Sequence, residues 1–127
     1  MKKPFKNSSD KVIIRFGEKE IRADIAGSYL KRAIGLSFRK SLIEDGGMLF
    51  VFQRLSRPVF WNFGMRFPID VVWIRENKIV GIEKSVPAAL LKIKIFYPRE
   101  KIDSALELPA GSIDKLNILT HSIIEII

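Results

Sequence analysis

The stretch Pro58-Val59-Phe60-Trp61-Asn62-Phe63-Gly64-Met65-Arg66-Phe67-Pro68-Ile69-Asp70-Val71-Val72-Trp73-Ile74 limits what this chain can fold into more than any other. It holds both tryptophans, three of the nine phenylalanines, two prolines, Gly64 and one isolated carboxylate, Asp70. Aromatic and β-branched residues suit a pleated, half-buried surface. The reading is two strands joined by a tight bend from Gly64 to Pro68, with the aromatics buried. Asp70 is then carried into an apolar run, where a carboxylate must be paired or protonated.

The flanking sequence predicts a β domain around that unit. Lys11–Phe16 and Glu18–Ala26 read as a hairpin about Gly17, with Ile21, Ala23 and Ile25 alternating against Glu20, Arg22 and Asp24. From Gly27 the period changes. Leu30, Ala33 and Ile34 share a helical face, Ser28 can cap its start and Gly35 stands near its end, so one short helix is expected at about 27–36. Gly46-Gly47 offers backbone angles closed to other residues. Met48–Gln53 is then apolar enough for a strand covered on both faces. Val71–Glu83 reads as a hairpin turning at Arg75-Glu76-Asn77-Lys78. Ala88–Phe96 reads as a half-exposed strand with Leu91, Ile93 and Ile95 inward and Lys92 and Lys94 outward. Ala105–Leu108 is a short strand, and the very apolar Ile118–Ile127 is expected to pair inside the sheet. The fold class is therefore mainly β, a compact two-sheet sandwich or flattened barrel with one short helix. One β-rich domain spans 11–127, preceded by a basic flexible arm over 1–10 that carries Lys2, Lys3 and Lys6.

The chain has no cysteine, which excludes disulfides, zinc-thiolate sites, iron–sulfur clusters and a thiol nucleophile. Its first ten residues lack the apolar core of a signal peptide, and no apolar run is long enough to span a bilayer. A cytoplasmic location and no membrane partner are the expectations. Abundant isoleucine and charge, with Gln53 the only glutamine, give a thermophile-like composition. The net charge of +8 favours an anionic partner, nucleic acid first, although scattered lysines and arginines also serve simply to solvate a surface.

Five pieces stand in a recognisable order: Arg32-x-x-Gly35-Leu36-x-x-Arg39, Gly47-Met48-Leu49-Phe50-x-Phe52, Phe60-Trp61, Pro68-Ile69-Asp70-Val71-Val72, and Leu106-Glu107-Leu108-Pro109-Ala110-Gly111. Together they resemble the family called domain of unknown function 192, from Glu20 to Ile127. What the resemblance implies is a β sandwich or flattened barrel with one helix, and no agreed activity. Two positions depart from the family pattern. Asn62 stands where methionine is usual, and Thr120-His121 stands near a usual Gly-Asp pair.

The candidate ligand-binding residues are Arg32, Arg39, Trp61, Met65, Asp70 and Glu107. Asp70 reads as a general acid/base or ligand, or as a buried acceptor that ties down loop backbone or an arginine; the structural reading is preferred. Glu107 between two leucines poses the same choice. If the two acids converge they form an acid pair or a hard-cation site. Arg32 and Arg39 are forks for a carboxylate or an anionic ligand. His121 is the only histidine, in an apolar terminal strand that belongs to packing. No catalytic residue, metal or cofactor is assigned. Trp61, Phe63, Met65, Phe67 and Trp73 form either core or a stacking platform. The preferred function is a non-enzymatic module that binds a small ligand or polymer in an aromatic and arginine-lined cleft. The alternatives are nucleic-acid binding through basic and aromatic surface, and a carboxylate-dependent enzyme using Asp70 and Glu107.

Overall fold

Period-two alternation builds the first ribbon as expected. The computed structural model describes residues 11–26, 46–63, 65–89 and 93–127. Strands β1 (Lys11–Phe16) and β2 (Lys19–Ala26) pair antiparallel, from Lys11 opposite Asp24 to Phe16 opposite Lys19. The turn takes Gly17 at φ 62°, a left-handed angle that suits glycine. Strand β3 (Gly46–Ser56) runs parallel to β2. The expected helix at about 27–36, with Arg32 and Arg39, falls outside the described residues, as does the basic arm.

Six further strands follow: β4 (Phe60–Trp61), β5 (Ile69–Arg75), β6 (Lys78–Val86), β7 (Ile95–Phe96), β8 (Ile102–Pro109) and β9 (Glu125–Ile126). Seven of the nine form one sheet in the order β6-β5-β8-β3-β2-β1-β9, and β4 and β7 make a separate small ribbon. The β5–β6 hairpin turns on Glu76 and Asn77 at φ 50° and 61°, both left-handed as a two-residue turn requires. Asp103 on β8 steadies it by accepting the Glu76 N–H at 2.9 Å.

The mid-chain aromatic unit is not a hairpin. Strand β5 has both edges taken, by β6 and β8, so β4 cannot return along it. Instead β4 pairs with β7, Phe60 opposite Phe96 and Trp61 opposite Ile95. The inward ring of Phe60 then lies 5.4 Å from Trp73, 5.4 Å from Phe50 and 5.7 Å from Phe96. Such ring pairs stabilise beyond area alone by about 0.5–1.5 kcal/mol each. Gly81 opposite Trp73 leaves room for the indole, since a Cβ there would stand 3.1 Å from it.

The C-terminal segment also departs from expectation. Ile118–Ile127 is not a strand inside the sheet. A four-residue helix, α1 (Ser112–Lys115), comes first, and the strand is reduced to Glu125–Ile126, paired at the sheet edge against β1. Ile13 and Ile127 exchange both backbone hydrogen bonds there, at 3.1 and 2.8 Å. The same segment bonds the opposite edge. Ile79 N–H donates to Ser122, His121 N–H to Ile79 and Ile124 N–H to Asn77, at 2.7–2.9 Å. It therefore staples β6 to β1 and curls the sheet into a half-barrel, leaving few unpaired edge groups.

Two apolar layers result. The concave side of the sheet holds Ile14, Ile25, Leu49, Val72, Ile74, Leu106 and Leu108, plugged by Ile113 of α1 and by Ile118 and Ile124. The other side holds Met48, Phe50, Ile69, Val71, Trp73, Ile102 and Ala105, and is covered by the β4–β7 ribbon and Met65. Gly47 lies between β2 and β8, and its role is not the left-handed angle expected of it. A Cβ there would stand 2.7 Å from the Glu107 carbonyl oxygen and 2.7 Å from a Leu108 methyl, so glycine permits the close approach of strands.

Candidate functional site

Asp70 is the second residue of β5 and 1% exposed. Its Oδ1 accepts the Ser85 N–H at 2.9 Å, and its Oδ2 accepts the N–H groups of Gly111 at 3.0 Å and Ile113 at 2.9 Å. Ser85 and Gly111 have left-handed backbone, φ 55° and 93°. Gly111 caps α1 without a side chain, so a carboxylate from a distant strand satisfies the N–H of the cap itself and one N–H of the helix's first turn. Asp70 thus ties the bulged end of β6 and the start of α1 to β5. Lys84 of β6 and Asp114 of α1 pair across the same two segments at 2.7 Å, a bond that raises the Lys84 pKa, with Asp70 adding to the effect. As pH rises through the raised value the lysine loses its proton and the contribution of the pair is lost.

Glu107, 4% exposed, does not meet Asp70. In register, Asp70 lies opposite Leu108 and Glu107 lies opposite Val71. Directly opposed residues share a face and neighbours alternate, so Asp70 points with Leu108 into the concave layer and Glu107 points with Val71 and Met48 into the other. The acid pair required by a two-carboxylate enzyme is not assembled. Met65 is buried at 4% in the ribbon-side layer, away from the solvent face that carries Trp61. Trp61, Met65, Asp70 and Glu107 therefore do not line one cleft. Among the described residues, no group of three or more histidine, aspartate or glutamate side chains could hold a metal ion.

What the structure does assemble is a surface. On the β4–β7 ribbon Phe60, Asn62 and Phe96 turn inward, while Val59, Trp61, Phe63, Ile93, Ile95 and Tyr97 turn out, each more than half exposed. The sequence assigned Ile93 and Ile95 to the interior, and the structure reverses them. The bulkier Phe96 takes the inward place beside Phe60 and Trp73, and that choice fixes the parity of its neighbours. The strand also shortens to Ile95–Phe96. Arg57 borders the patch, its guanidinium 5.4 Å from the Tyr97 ring and its Nε donating to the Pro98 carbonyl at 3.0 Å.

Asn62 holds the ribbon in place. It is fully buried, its Oδ1 accepting the Lys94 N–H at 2.7 Å and its Nδ2 donating to the Pro87 carbonyl at 2.9 Å. Asn62→Ala orphans both backbone groups, and is expected to lower unfolding free energy by about 1–3 kcal/mol. Denaturant titration measures it; a change under about 0.5 kcal/mol would show the amide to be dispensable.

A family model, domain of unknown function 192 (Uncharacterized ACR, COG1430), matches residues 12–126. The chain belongs to that family. Among its relatives is the UPF0127 protein of Pyrococcus furiosus, 34% identical over an alignment of 103 residues that covers 79% of this chain and 84% of that one. Of the solved structures, one from Sinorhizobium meliloti, described as a putative transcription regulator, superposes with TM-score 0.82 at 25% identity. The match covers 96% of this chain and 98% of that one. A protein of unknown function from Novosphingobium aromaticivorans shares the fold, with TM-score 0.77 at 20% identity over 91% of this chain and 83% of that one.

The two departures of this family member now have a local account. Asn62 replaces the usual methionine with an amide that bonds backbone on two sides. His121 is not in an apolar strand but at an exposed turn with φ 77°, where its N–H serves the seam to β6. No helix among the described residues is long and apolar enough to cross a membrane.

Proposed function

We propose that this DUF192 member is a binding module, not an enzyme, and that its contact surface is the outer face of the β4–β7 ribbon. One observation carries the reading. Six apolar side chains, three of them aromatic, stand side by side in solvent on a ribbon whose inner face is fully engaged. Burial of such side chains is worth about 1.5–3 kcal/mol each, and contiguous apolar patches on a soluble domain mark places where something else binds. Among the described residues the patch is an open face, which suits a polymer laid across it better than an enclosed small molecule. The candidate residue retained is Trp61; Asp70 and Met65 serve the scaffold.

The description of the Sinorhizobium meliloti neighbour fits a polymer-binding surface but names no residues. The test is retention on immobilised polyanions and neutral polymers by wild type and by the Trp61→Ala/Ile95→Ala double variant. Wild type is expected to be retained by at least one, and the double variant to elute early with an unchanged melting temperature. Equal retention of the two proteins on every matrix would remove the ribbon from consideration.

A further inference from the structure

We infer that the polymer held by the β4–β7 ribbon is single-stranded nucleic acid, its bases laid on Trp61, Phe63 and Tyr97 and its phosphates drawn to the cations around them. This rests on the binding-surface reading above. The first ground is the charge of the segments that carry and flank the ribbon. Residues 54–66 and 93–101 hold Arg54, Arg57, Arg66, Lys94, Arg99 and Lys101 against the single acid Glu100, a net +5 out of the chain's +8. All six basic residues are exposed. Single-strand binding sites combine these two elements, aromatic faces that stack on any base and a positive surround that follows the backbone.

The second ground is the Arg57–Tyr97 unit. The guanidinium sits over the ring at 5.4 Å and is oriented by the Pro98 carbonyl. A planar cation fixed beside a planar ring offers one group to a phosphate and another to a base. Ile95 directly opposite Trp61, with Ile93 and Val59 nearby, gives the bases an apolar bed. A second copy of the chain fits less well, because face-to-face packing would bring two such cationic margins together. A lipid surface would accept the apolar side chains and the charge, and it enters the test as a rival.

The experiment uses fluorescence anisotropy of labelled oligothymidylate and oligouridylate of about 16 nucleotides, titrated with the full chain at several salt concentrations. Parallel arms measure sedimentation with phosphatidylcholine/phosphatidylglycerol vesicles. Binding is expected to weaken with salt, log K against log[salt] falling with a slope of about −1.4 to −2.8 for two to four phosphates. Trp61→Ala is expected to weaken binding about 5- to 150-fold, Trp61→Phe to restore most of it, and Arg57→Ala to flatten the slope by about 0.7. Because Trp61 is 56% exposed, its variants should keep the wild-type melting temperature. No anisotropy change at the lowest salt overturns the inference. Vesicle binding that depends on Trp61, without oligonucleotide binding, also overturns it but leaves the ribbon as the binding surface. Oligonucleotide binding indifferent to Trp61 and Ile95 overturns both.

Discussion

Asp70→Ala should unfold this protein at markedly lower denaturant concentration, with a loss of about 3–5 kcal/mol. The carboxylate is 1% exposed and accepts three backbone N–H groups from the end of β6 and the start of α1, so its removal leaves three buried or half-buried donors unsatisfied. Asp70→Asn is the more informative variant. An amide oxygen can still serve one or two of those donors, but the NH2 group faces an N–H and repels it. The expected loss is about 2–4 kcal/mol, since a bond to a charged acceptor is worth about 1.5–3 kcal/mol net. Urea titration of both variants measures the difference. Amide exchange at Ser85, Gly111 and Ile113 should accelerate more than at the β1–β2 ribbon. A loss below about 1 kcal/mol for Asp70→Asn would mean that the end of β6 and the start of α1 hold their own conformation.

Gly47→Ala is the second large effect. The added methyl meets a backbone carbonyl and a buried leucine methyl at 2.7 Å, and neither is the free end of a flexible side chain. The β2–β3–β8 region must spread to admit it, at a cost of about 1–3 kcal/mol or more, as for overpacked cores. At Gly17 the same substitution meets no neighbour but keeps a left-handed backbone, so its cost of about 1 kcal/mol comes from conformation alone. Thermal melts of the two variants separate the causes. A Gly47→Ala protein as stable as wild type would contradict the close strand approach described here.

The contrast between those glycines shows what could be read in the sequence and what could not. Alternation gave the β1–β2 ribbon and the β5–β6 hairpin correctly, because each pairs near neighbours and obeys a local period. Gly46-Gly47 was legible as special, but the reason is a tertiary contact that no local pattern carries. The aromatic unit was legible as apolar and extended. Its partner was not, because whether β4 pairs with β5 or β7 depends on which edges of β5 are already occupied. Parity in Ile93–Phe96 failed for a related reason. Isoleucine and lysine alternate there in the usual half-buried pattern, yet Phe96 decides the register from outside it. Asp70 was singled out by its apolar company and preferred as an acceptor for loop backbone. That the backbone it holds is the end of β6 and the start of α1 came only from the fold.

The stapling of β6 to β1 by Ser122–Ile127 bears on how the molecule comes into being. The last pairing joins Ile13 to Ile127, so every residue between them must be made before the seam can zip. Closing so long a loop is entropically expensive and slow, and it waits on the contacts already in place. Until then the β1 and β6 margins lie open on the nascent chain, which makes synthesis, more than the finished state, the period when neighbouring copies can tangle.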